Sequence, residues 1–194
     1  MHLHVESLYE VLLQRAVRYG ITVSEADLDD EVPGKFDGLK ITVNKNYDAA
    51  ERAFYLAHSI GSIAEWSIHT DQSHQVFDEL RRAKRKSTSD AANLERALAA
   101  YLSFENTTWE FAVWLVADTG NEPFVAALTS FGRADMEVMR LFHTTGKAPH
   151  WREFFAAWNV EVRQGTRSIA PFAPRPIQEF QAIRIPKQEI VQKE

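Results

Sequence analysis

His58, Ser59 and Ser62 fall within one expected turn of helix and are the first residues in the chain whose types and spacing suggest chemistry. An imidazole with a hydroxyl four residues on puts both side chains on the same helix face. Such a pair points to nucleophilic catalysis, which needs a base beside the serine and an oxyanion hole beyond it. No G-x-S-x-G elbow exists, and a serine inside a helix has no free backbone donors next to it, so that chemistry is set aside. The chain has seven His and no Cys. The missing Cys removes disulfides, Cys-ligated zinc, iron–sulfur clusters and thiol nucleophiles. His69, Asp71 and His74 offer metal-type ligands close together, but their spacing follows no ligand motif. Gln72 and Ser73 between them mark an exposed polar connection. His2 and His4 lie near the chain end and are expected on the surface.

Hydrophobic spacing gives the elements that must position these residues. Val5, Leu8, Leu12, Leu13 and Val17 predict an amphipathic helix over Val5–Arg18, stopped by Gly20. Residues 21–23 are β-prone, 32–34 signal a turn, and 36–39 read as a second turn. In the strand that follows, Leu39, Ile41 and Val43 alternate with polar residues. Asp48 is the expected N-cap of a long helix, Ala49–Ile68, which carries His58. Further helices are expected over 74–86, over 91–117 with a break near Ser103, and over 123–131, 134–144 and 151–159. Gly132, Gly146 and Pro149 are read as edges. Phe104, Trp109, Phe111 and Trp114 recur at core spacing, so they are read as packing and not as a ligand box.

The basic run 81–86 is read as a solvated helix end, where cations complement the dipole. The net charge of −5 argues against a dedicated nucleic-acid binder. With 12 Phe, 5 Trp and 5 Tyr the chain is too aromatic for extended disorder. No apolar run approaches the ~20 residues of a membrane span, and no basic segment followed by an apolar stretch marks a signal peptide. A bacterial-type cytoplasmic protein without a membrane partner is the expectation.

Residues 41–66 read ITVNKNYDAAERAFYLAHSIGSIAEW, a strand leading into a helix with Leu-Ala-His-x-Ile-Gly-x. This segment resembles the ImmA/IrrE-type zinc metallopeptidase family. Its members carry L-A-H-E-[IL]-G-H after the same strand, with an Arg and an aromatic residue upstream, here Arg52 and Phe54 or Tyr55. In that motif two His at i and i+4 bind zinc, and the Glu between them deprotonates the attacking water. His58 stands at the first His, Ser59 at the Glu and Ser62 at the second His. The scaffold letters Leu56, Ala57, Ile60 and Gly61 remain. The family's third ligand is a Glu in a later helix resembling E-x-E-A-x-x-F-A-x-x-L-L. Aligned on Phe111 and Ala112, Glu105 stands at the first Glu and Thr107 at the second, and the alignment leaves open which of the two would ligate.

A serine cannot replace the general base, which typically contributes about 10²–10⁴-fold in rate. A neutral hydroxyl is likewise a poor substitute for imidazole toward zinc. The resemblance therefore implies an α+β, mostly helical fold. A small N-terminal sheet would pack on a helical bundle with a zincin-like core. It further implies a degenerate site of His58, Ser59, Ser62, Glu105 and Thr107, with no catalytic residue, metal or cofactor. The expected activity is the binding of a protein or peptide as a regulatory or accessory factor, for instance as a strand added to the sheet edge. The alternative is a hydrolase or metal-dependent enzyme whose site is assembled from other residues. His58 itself is expected to be partly buried, its ring bonded to Ser62 or a backbone carbonyl.

Residues 1–164 are expected to form one domain and 165–194 an extended arm. Pro171, Pro174, Pro176 and Pro186 forbid a continuous helix there, while Ile169, Phe172, Ile177, Phe180, Ile183 and Ile185 argue against a freely solvated tail. Phe172, Ile177 and Phe180 should be buried on the domain or on a second copy, in which case a homodimer forms. The charged residues 187–194 should fray.

Overall fold

The computed structural model describes residues 5–85 and 90–177. Helix α1 (Val5–Arg18) buries Leu8, Leu12 and Ala16, one face at i, i+4 and i+8, together with Tyr9. It ends as the sequence indicates. Gly20 takes φ 72°, its N–H bonds the Val17 carbonyl, and the Ile21 N–H reaches back to Ala16. This Schellman closure needs a left-handed residue, which glycine adopts without a Cβ clash.

The chain then forms β1 (Thr22–Ala26), β2 (Gly34–Asp37) and β3 (Lys40–Asn44). The strand order is β1-β3-β2, with β1 parallel and β2 antiparallel to β3. Strand β2 occupies residues 34–37, part of which was expected to be turn. The reversal is confined to Gly38 and Leu39, where Gly38 has φ 57°. Ile41 and Val43 are buried in the main core.

Asp48 caps α2 (Ala49–Ile68) in a reciprocal capping box with Glu51. The helix is buried nearly all round, between α1, β3 and α4. Such a helix must run through the middle of the molecule. Gly61 permits that, because a Cβ there would lie 2.5 Å from the Thr108 carbonyl oxygen of α4.

Helix α3 (Thr70–Arg85) begins four residues before its expected start, directly after the α2 cap at His69. Helix α4 (Ala91–Asp118) starts at the Asp90 cap and runs unbroken through Ser103. Its Ala97, Leu98 and Tyr101 form a second, smaller core with Leu80 and Ala83 of α3.

Helix α5 (Val125–Thr145) corrects a further expectation, since the two short helices proposed on either side of Gly132 are one. Gly132 is no break but a site of close approach, where a Cβ would stand 2.6 Å from the Trp109 ring. Helix α6 (Trp151–Arg163) runs beyond Asn159 and is held to α5 by the Trp158 indole donating to Ser130 Oγ at 3.2 Å. Residues 166–177 continue without regular structure, with Phe172 and Ile177 buried as expected. Phe180, Pro186, Ile183, Ile185 and residues 187–194, like His2, His4 and Lys86, lie outside the described residues. The architecture is α+β, dominated by helix, with one three-stranded sheet among the described residues.

Candidate functional site

His58 lies mid-way along α2, with its ring turned toward α4. Its Nε2 stands 3.1 Å from Glu105 Oε2, and the two side chains are 15% and 10% exposed. A carboxylate can only accept, so Nε2 carries the proton in this contact. One turn further along α4, the Trp109 indole stacks on the imidazole with ring centroids 4.2 Å apart and planes 23° from parallel. Tyr101, one turn before Glu105, interacts with the same carboxylate. Burial and the Glu105 charge push its hydroxyl well above the usual phenol range.

Helix α5 adds Asp135. Burial and the charge of Glu105 push its carboxyl up to about 6, against the opposing pull of His58. The Trp109 N–H also favours the charged form of Asp135 from nearby, although it closes no hydrogen bond of normal geometry. For His58, burial works against the proton. The Glu105 bond and the charges of Glu105 and Asp135 outweigh it, so the imidazole protonates more readily than usual. Two carboxylates thus serve one imidazole across three helices, an arrangement that holds a proton.

The remaining motif positions point elsewhere. Ser62 donates to the His58 carbonyl at 3.1 Å, so its hydroxyl serves the helix backbone. The expectation that the His58 ring bonds to Ser62 or a carbonyl is therefore corrected, because its partner is Glu105. Ser59 is fully buried. It acts on the Tyr55 hydroxyl, which burial raises to about 12, but forms no hydrogen bond of normal geometry. Neither serine is placed as a nucleophile. Thr107 bonds the Ser103 carbonyl in an exposed position, about 200° around α4 from Glu105. Of the two aligned positions, only that of Glu105 faces His58.

The donor set does not fit zinc. Ligands of one tetrahedral zinc stand roughly 3.3 Å apart, so the His58–Glu105 separation alone would be compatible with a shared ion. A third protein donor is required, and the described residues contain no group of three His, Asp or Glu able to hold a metal. Ser62 turns its oxygen onto the backbone, and the base position is a sealed hydroxyl. The second candidate cluster does not converge either. His69 Nδ1 lies 3.2 Å from Glu65 Oε2 without hydrogen-bond geometry, Asp71 is exposed, and His74 meets the Trp66 ring edge-on. The basic run ends α3, with Arg81 3.5 Å from Asp78 and Lys84 over the Phe142 ring. Cavities of about 300 Å³ and 510 Å³ lie elsewhere and include none of His58, Glu105 or Asp135 in their linings.

Sequence reasoning missed Tyr101, Asp135 and the stacking role of Trp109. A signal for Asp135 existed. It shares a helical stripe with Leu128, Phe131 and Val138, all buried, and a carboxylate on a core stripe calls for a partner. Reading Gly132 as a break split that stripe in two. Comparison of the chain with protein-family models, with curated proteins and with solved structures finds no match.

Proposed function

We propose that this chain is a metallopeptidase-like protein of the ImmA/IrrE type that has lost its metal chemistry and works as a protein- or peptide-binding regulatory or accessory factor. One observation carries the proposal. His58 and Glu105, the two members of the motif set that remain, face each other at 3.1 Å from α2 and α4, while Ser59 and Ser62 fill the base and second-ligand positions. The surroundings support it. A helix and three strands precede the motif helix, and Leu56, Ala57, Ile60 and Gly61 are all buried. Gly61 in particular lets the motif helix lie against the Glu105 helix. The zincin-like description of the core belongs to this proposal. Binding would use the open sides of the edge strands β1 and β2, where an extended peptide can add as a further strand without any metal.

The test is metal analysis and peptide cleavage with protein carrying no His-tag. The unmodified chain is expected to hold far less than one zinc per molecule and to cleave no peptide. The double variant Ser59→Glu, Ser62→His is expected to gain zinc. Stoichiometric zinc in the unmodified chain, lost on His58→Ala, would overturn the proposal.

A further inference from the structure

The arm after α6 meets the bundle through contacts of the kind that recognise peptides. Arg133 of α5 donates from Nε to the Ala170 carbonyl at 2.9 Å and from Nη2 to the Pro171 carbonyl at 3.1 Å. Those bonds hold backbone whatever side chains it carries. The same guanidinium lies 3.7 Å from the Phe172 ring centroid, a contact that selects an aromatic residue. Phe172 also stacks on Trp109, with ring centroids 6.1 Å apart. The slot exists because residue 132 is glycine, since a Cβ there would stand 3.0 Å from the Phe172 ring as well as against Trp109. Further on, the Arg175 N–H donates to the Glu110 carbonyl at 3.2 Å, and the Arg175 guanidinium pairs with the Glu110 carboxylate at 3.3 Å. Ile177 is buried against Ala64 and Phe111. Between these anchors Ala173, Pro174 and Pro176 are exposed.

The receiving surface is tied together by the bundle itself. Arg133 Nη1 donates to Asn106 Oδ1 at 3.0 Å, and Asn106 donates to Glu110 Oε1 at 2.8 Å. The groups that grip the arm are thus aligned by bonds among themselves. The ligand side is equally prepared, because prolines at 171, 174 and 176 hold φ fixed and lower the cost of an extended conformation.

We infer that this seat is a peptide-recognition site. It reads an extended segment of the form aromatic-x-Pro-x-Pro-aliphatic, and a partner protein carrying such a segment binds by displacing residues 170–177. The arm is the chain's own copy of that ligand. The seat is built by α2, α4 and α5, and the inference does not depend on the peptidase resemblance.

The experiment uses the full chain and a fluorescent peptide of residues 168–177, followed by anisotropy and light scattering. In the Phe172→Ala chain the tethered arm is weakened, and the peptide should bind at least about tenfold more tightly than to the unmodified chain. There the intact arm competes at an effective concentration in the millimolar range. Replacing Phe by Ala in the peptide, or adding Arg133→Ala to the chain, should weaken binding at least about tenfold. Ile177→Asp serves as the receiving chain if Phe172→Ala does not fold by circular dichroism. Failure of the peptide to bind a folded arm variant overturns the inference, as does exchange of arms between two copies as the sole association.

Discussion

Trp109 carries stacking partners from two regions that satisfy their polar groups in different ways. On the His58 side, Glu105, Asp135 and Tyr101 all interact within α2, α4 and α5. On the Phe172 side, Arg133 and Glu110 complete their bonding on the backbone and guanidinium of the arm. The first region titrates and is closed on itself. The second rests on guanidinium contacts, carbonyls and rings, and one of its two components can be removed by breaking contacts with the arm alone. A group whose partners are all internal belongs to the fold, whereas a group whose partner is a detachable segment is available for recognition.

The strongest way to break this contrast is Glu105→Ala. It leaves a partly buried imidazole without its acceptor and removes the carboxylate that interacts with Tyr101. A loss of about 3 kcal/mol is expected in urea denaturation near neutral pH, since removing one member of a buried pair leaves the other uncompensated. A loss below about 1 kcal/mol would mean the cluster is no more internal than the arm seat.

Asp135→Asn sharpens the contrast through pH. The Asp135 carboxyl stands at about 6 in the fold against an ordinary 3.8, so the folded chain binds this proton more readily than the unfolded one. The stability it contributes is fully present below about pH 4 and is lost as pH rises through about 6. His58, also raised, acts in the same direction, and its contribution is lost as pH rises from 6.5 through its folded value. The Asn variant keeps the shape without the charge. It should be about 1–2 kcal/mol more stable than the unmodified chain near pH 7.5 and little different near pH 4. Denaturation curves at both pH values measure this, and a variant less stable at the higher pH would contradict it.

The smallest effect belongs to the rim of the arm seat. Arg175→Ala removes an ion pair whose arginine is 48% exposed. A change of about 0.5 kcal/mol or less is expected, shrinking further with added salt. Thermal melting at two ionic strengths checks it.

Much of the scaffold was legible because local rules and tertiary demands agree there. Gly20 ends α1, Asp48 opens α2, and Ile41 and Val43 alternate into the core, each by a mechanism that acts within a few residues. Burial of Phe172 and Ile177 was legible from apolar residues among prolines. Gly132 is a helix-interior glycine set by close approach to Trp109, and spacing alone cannot distinguish that use from a break. The motif exposed His58, Glu105 and the two serines as a set. It did not disclose that Glu105 faces His58 while Thr107 turns outward, which depends on the rotation of α4. Asp135, Tyr101 and Arg133 belong to no motif, and only the assembly of three helices brings them into play.

The Phe172–Trp109 stack also has a consequence for the order of events during synthesis. The indole belongs to α4, while the ring that covers it is made much later. At about 5–20 residues per second, roughly 3–13 s separate the two on the ribosome. Helix α2 is made before that interval, α4 is completed within it, and α5, which carries Gly132, follows. The indole then waits without its lid while the nascent chain grows. A nascent chain that has completed α5 therefore lacks the ring that covers the indole until residue 172 is made.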